Sequence, residues 1–111
     1  MDYFEQTMYW LLSGSKGAIN RVRIIAELDK KPVNMNALSK KTNLNYKTIQ
    51  HHIQLLLENN LIVERGSKYG KIFFLSSQLD EKKSLFKKLF DETIFVEEKK
   101  WVKKFQKKLF K

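Results

Sequence analysis

Apolar residues recur along this chain at helical spacing, give way to two short β-rich runs after residue 60, and then return to helical spacing. In 3–12, Phe4, Met8, Leu11 and Leu12 share one helix face, while Tyr3 and Trp10 share another at i, i+7. SGSKG at 13–17 interrupts this helix. INRVRIIAELD resumes one, with Val22, Ile25, Ala26 and Leu28 inward and Arg23 one turn from Glu27 on the outside. Lys30, Lys31 and Pro32 end it, because the residue before a proline avoids the helical region.

Two helices with strong start signals follow. Asn34 caps a helix over 35–41, and Val33 ahead of the cap packs on Leu38 as a hydrophobic staple. Asn45 caps a second over 46–59, with Leu44 and Ile49 in the same relation. Only Thr42, Asn43 and Leu44 separate the two, and so short a turn forces a tight angle, the outline of a helix-turn-helix. LIVERGSKYGKIFFLS reads as strands over 61–65 and 71–75 around a loop bearing Gly66 and Gly70. From about residue 79 to residue 111 the chain is helical again, with a break expected at TIFV, 93–96, where the apolar spacing loses phase. The predicted fold is α+β and mostly helical, one domain over 1–111 in which a helix-turn-helix is followed by a β-hairpin. It comprises an N-terminal helix (3–12), a helix-turn-helix and hairpin core (17–76) and a C-terminal helical, basic segment (77–111) that is a candidate for dimerisation.

Charge narrows the function classes. A chain of 111 residues suits one domain with a modest core. Lys and Arg number 22 against 12 Asp and Glu, a net charge of +10, which favours polyanions: nucleic acid first, an anionic membrane second. The absence of cysteine excludes disulfides, thiolate metal sites and cysteine catalysis. MDYFEQTMYWLL carries acids where a secretory signal needs basic residues, and no apolar run is long enough to span a membrane, so a cytoplasmic location is expected.

The adjacent His51 and His52 invite a metal or catalytic reading, which helical geometry disfavours. Adjacent helical residues point about 100° apart, whereas a helical metal pair uses i and i+4 so that both rings reach one ion. No third ligand is spaced to join them, and no nucleophile or carboxylate is placed to orient either ring. No metal, cofactor or catalytic residue is therefore expected, and the chain reads as a non-enzyme. On the helical wheel Tyr46, Ile49, Ile53, Leu56 and Leu57 cluster on one side. His52 lies at the border of that face, where a partly buried ring would pack on a neighbouring helix. His51 lies opposite, near Lys47, Gln54 and Glu58. A helix after a tight turn, with exposed Lys, Gln, His and Thr near its N-terminus, suits the major groove; a plain solvated face is the other reading.

Taken together, residues 17–76 resemble the winged helix-turn-helix regulators of the ArsR-like group, especially small archaeal ones. The resemblance rests on Arg21, Ile24 and Ile25 in RVRIIAEL, on Ala37 and Leu38, and on YKTIQHHI as recognition helix. Asn60, Leu61 and Ile62 then lead into a wing ending Tyr69 and Gly70. It implies that Tyr46, Lys47, Thr48, Gln50 and His51 face DNA, that Arg65, Lys68 and Lys71 on the wing meet phosphate or minor groove, and that terminal helices pair two subunits. Members that sense metals use cysteines or clustered histidines and acids, which this chain lacks, so metal-responsive derepression is not implied.

No arginine falls in the recognition helix, so the bidentate arginine contact to guanine is closed to it, while Lys47 and His51 can still donate single bonds to guanine. Gln50 and Gln54 can pair with adenine, and the Thr48 methyl and Tyr46 ring can meet thymine methyls. An A/T-rich site is expected, read as two half-sites by a homodimer. Tyr3 and Trp10 on the first helix, with Trp101, Phe105 and Leu109 in the last, are the candidate dimer contacts. The lysine-rich KKWVKKFQKKLFK (99–111) admits three roles: a dimer helix with a solvated lysine face, a second DNA-backbone contact, or an interfacial membrane helix. The expected function is sequence-specific binding of double-stranded DNA for transcriptional regulation. A peripheral membrane or protein-interaction module on a winged-helix scaffold is the alternative, and a nonspecific chromatin-like protein also suits the charge.

Overall fold

The computed structural model describes residues 1–67 and 70–109, with side chains described as far as Lys100. In chain order the elements are α1 (Tyr3–Tyr9), a π-helical turn (Trp10–Gly14), α2 (Ala18–Lys30), β1 (Val33–Asn34), α3 (Met35–Thr42) and α4 (Tyr46–Glu58). After these come β2 (Ile62–Ser67), β3 (Gly70–Leu75), α5 (Ser77–Glu81) and α6 (Lys83–Leu109).

Caps set the starts of four helices. Asp2, Asn34, Asn45 and Ser76 each accept from the backbone N–H three residues on, satisfying a donor the helix cannot pair internally. Asn43 ends α3 at φ 58°, a left-handed conformation that Asn tolerates better than most residues. The Ser39 hydroxyl donates to Leu44 O at 2.5 Å and thereby ties the turn back onto α3. Local chemistry thus builds the helix-turn-helix before tertiary packing is considered.

The core joins all of these parts. Met8, Leu11 and Leu12 meet Val22, Ile24, Ile25 and Leu28 of α2, and Leu38, Ile49, Ile53 and Leu56 close the motif's inner side. Leu61, Ile62, Phe73, Leu79, Phe86 and Leu89 bring in the hairpin and the C-terminal helices. Each fully buried aliphatic side chain contributes about 1.5–3 kcal/mol.

Three expectations need correction. The sheet has three antiparallel strands in the order β1-β3-β2, not two, because Val33 and Asn34 pair with Phe73 and Ile72. A two-residue strand carries no periodicity to read, and the same residues act as staple and cap. The first helix runs on through the π turn to Gly14 instead of stopping at residue 12. The break expected at 93–96 is absent: α6 is continuous there, and the interruption lies at Lys82, between α5 and α6. Apolar phase is lost at 93–96 because α6 leaves the core, not because the helix stops. Thr93 still holds Leu12 O at 2.6 Å, while Phe95 and Val96 are 58% and 52% exposed.

Candidate nucleic-acid interface

Burial divides α4 lengthwise. Ile49, His52, Ile53 and Leu56 are inside, and Lys47, Gln50, His51, Gln54 and Glu58 are exposed. Lys47, His51, Gln54 and Glu58 follow one another at i, i+4, i+7 and i+11 as a single outward stripe, with Gln50 beside it. Thr48 is half-buried, and its backbone N–H is taken by the Asn45 cap. Tyr46 departs from its place on the helical wheel. It is the first residue of α4 and projects with 53% exposure into the open cleft that separates the helix from the sheet.

An open cleft of about 430 Å³ separates α4 from the sheet, lined among others by Met35, Tyr46, Gln50, Gln54, Glu64 and Lys71. The hairpin forms its far wall, with Glu64 opposite Phe73 and Arg65 opposite Ile72. Gly66 sits at φ 126°, and a Cβ there would lie 2.2 Å from Gly70 O, so no other residue permits this close approach of the strands. Arg65 is exposed and donates to its neighbour's carbonyl, Glu64 O, at 3.4 Å. Lys71 Nζ is paired with Glu64 Oε1 at 3.3 Å, so part of the charge expected of the wing is met within the hairpin. Lys68 lies outside the described residues.

Lys40 and Lys41 were missed in the sequence reading. Both are exposed in the last turn of α3, immediately before the tight turn, and add positive charge beside the N-terminus of α4. The KK pair at 40–41 was the available signal, and their place also suits the negative end of the α3 dipole.

His52 is 6% exposed, and its Nδ1 faces Arg21 Nη1 at 3.4 Å. Burial first, then the Arg21 charge and His51, push its pKa down to about 4, so the ring is neutral near pH 7. Arg21, carried inside on α2, is the second buried polar group that meets α4. Nothing in the sequence around Arg21 signals this burial, because a basic residue on an amphipathic helix ordinarily faces solvent.

At the opposite end, Lys82 Nζ binds Glu5 at 2.5 Å and Asp2 at 3.5 Å, joining α1 to the segment before α6. Tyr3 and Trp10 remain 82% and 63% exposed. The side chains of Trp101, Phe105 and Leu109 lie outside the described residues. No helix among the described residues is long and apolar enough to cross a membrane.

Residues 20–71 match the family model described as winged helix-turn-helix, a stretch that runs from within α2 to the start of β3. A winged helix-turn-helix, mostly helical with a small antiparallel sheet, is the fold of this chain. Among solved structures, a MarR transcriptional regulator from Methanosarcina mazei superposes with TM-score 0.62 at 14% identity, over 85% of this chain and 73% of that one. Sso10a-2, a DNA-binding protein from Sulfolobus solfataricus, gives 0.58 at 15% identity, over 86% of this chain and 98% of the other. HlyU from Vibrio cholerae gives 0.56 at 18% identity, over 77% and 87%. No curated protein sequence matches the chain.

Proposed function

We propose that this protein is a sequence-specific, double-stranded DNA-binding transcriptional regulator. The observation that carries the reading is the exposed face of α4. Lys47, Gln50 and His51 project from a capped helix directly after a tight turn, on a chain of net charge +10. In this reading α4 enters the major groove, Tyr46, Thr48 and Gln54 border it, and Arg65, Lys68 and Lys71 bring the wing to phosphate or minor groove. Lys40 and Lys41 add backbone contacts at the turn. The winged-helix match and the DNA-binding or regulatory roles in the names of similar structures support it. The proposal includes a cytoplasmic homodimer of the ArsR-like, small archaeal type, without enzymatic activity.

Selection of bound fragments from genomic DNA, followed by competition, tests it. A regulator prefers its selected site over random duplex by about 10³-fold or more. Equal affinity for every duplex would instead mark a nonspecific DNA-coating protein. One observation favours a lipid-surface role: Phe95 and Val96 stay exposed on α6 just ahead of Lys99 and Lys100. Co-sedimentation with anionic vesicles, in the absence of DNA preference, would support that reading in place of the first.

A further inference from the structure

We infer that Arg21 is a positioning residue for DNA recognition. It clamps α4, through His52, to the turn at 11–17, a turn that Thr93 of α6 also holds. The inference rests on the DNA-binding reading above and names what sets the angle of the recognition helix.

Arg21 is 2% exposed and, among the described residues, has no carboxylate partner. Its donors meet neutral acceptors instead. Nε donates to Leu11 O at 2.7 Å, Nη2 to Lys16 O at 3.0 Å and to the Ser15 hydroxyl, and Nη1 faces His52 Nδ1 at 3.4 Å. Burying a guanidinium is unfavourable unless its donors are met, so these four contacts together fix the geometry of the side chain. The neutral state of His52 suits an acceptor at Nδ1.

The acceptors have a structural origin. Leu11 and Leu12 lie in the π turn, whose wide winding and end leave carbonyls to find partners outside the helix. Leu11 O takes Arg21, and Leu12 O takes the Thr93 hydroxyl at 2.6 Å. Adjacent carbonyls are thus held, one by the core of the DNA-binding unit and one by α6. Little slack remains at the junction. Gly17 stands at φ 88°, and a Cβ there would lie 2.9 Å from His52 Cε1 and 3.0 Å from Arg21 Nη1. Rotation of α4 must therefore displace Arg21, and displacement of the turn by α6 must reach α4. Ten degrees of rotation moves an outward side chain by about 1 Å, enough to break hydrogen bonds to base edges. His51 and Gln50 adjoin His52 in sequence and would move with it.

The test uses the full chain, each variant first shown to be folded at the assay temperature. Affinity is measured for a selected duplex and for random duplex in wild type, Arg21→Lys, His52→Leu, their double variant, His52→Asn and Thr93→Val. Arg21→Lys and His52→Leu are expected to lose about tenfold on the selected duplex, comparable to one base contact, and less than twofold on random DNA. The double variant should be no worse than the worse single one, because either change already breaks the link between Arg21 and His52 through which α4 is held. His52→Asn, whose amide oxygen can stand where Nδ1 stood, should retain most of the preference, and Thr93→Val should lose part of it. Without DNA, Arg21→Lys should shift the amide resonances of Gln50 and His51. Equal losses on both duplexes, additive losses, or unmoved resonances would overturn the role of Arg21 while wild type still discriminates. A wild-type protein that prefers no duplex would sink the DNA reading itself, and this role with it.

Discussion

The side-chain amide of Gln54 is tied to Glu58 one turn further along α4, Nε2 donating to Oε1 at 3.0 Å. Bidentate pairing with adenine needs that amide turned to a base edge, and the Glu58 carboxylate beside it would repel phosphate. Of the two glutamines on the outward face of α4, Gln50 is therefore the one expected to read bases. Gln50→Ala and His51→Ala are expected to cost about 1–3 kcal/mol on the selected site and little on random duplex. Gln54→Ala should cost less than about threefold, and Lys47→Ala should weaken both, because an ammonium mostly meets phosphate. Titration of each variant on the two duplexes decides; equal losses for Gln50 and His51 on both would remove them from base readout.

The Glu64–Lys71 pair changes what the wing should do. Lys71 spends part of its charge inside the hairpin, so neutralising Lys68 and Lys71 together should flatten the slope of log K against log salt by less than the value of about 2 that two phosphate contacts would give. Glu64→Gln should steepen the slope by up to about 1 by releasing Lys71. A slope that neither change moves would place the wing off the DNA.

Acid should weaken the fold through His52. Its pKa is about 4 in the folded protein against 6.5 for the free side chain, lowered by burial, Arg21 and His51. As pH falls the unfolded chain takes up this proton first, so the His52 contribution is complete above pH 6.5 and is lost as pH falls toward 4. The full loss is about 3 kcal/mol. Denaturant melts between pH 7 and 4 should show this decline, and His52→Asn should lack most of it. A decline of the same size in that variant would assign it to other groups.

Pairing of subunits is expected to use the exposed Trp10 and Tyr3 with the last helix. Trp10→Ala should weaken the dimer by about thirtyfold or more in sedimentation, since a buried aromatic anchor is worth about 2 kcal/mol or above. Removing residues 97–111 should give monomer or insoluble protein. A soluble dimer after truncation would take dimerisation away from 101–109 and make vesicle binding the next measurement.

The bases chosen should be A/T-rich, because the three arginines, Arg21, Arg23 and Arg65, all lie outside α4. Selection from random duplexes should return two such half-sites about one helical turn apart. Enrichment of guanine at every strong position would refute the readout by glutamine, threonine and tyrosine.

Local signals alone determined the helix-turn-helix of this protein. The Asn34 and Asn45 caps, the spacing of Leu38, Ile49, Ile53 and Leu56, and three intervening residues all act within a turn or two of helix, so neighbours in sequence suffice to read them. The hairpin was equally legible from its β-rich runs and Gly66. The outward stripe of α4 followed from the same periodicity, except at Tyr46. Tertiary structure decided the rest, because the partners are far apart along the chain. Val33 becomes a strand only when Phe73 lies beside it, and Lys71 loses its freedom only to Glu64 across the hairpin. The run at 93–96 stays helical with its phase broken because α6 passes beyond the core while Thr93 still grips Leu12. Arg21 reads as one more basic residue on an amphipathic helix, and only the carbonyl of Leu11 and the ring of His52 make it a buried clamp. Periodicity reports which face of a helix is covered; it carries no information about which distant group covers it, and that group sets the chemistry.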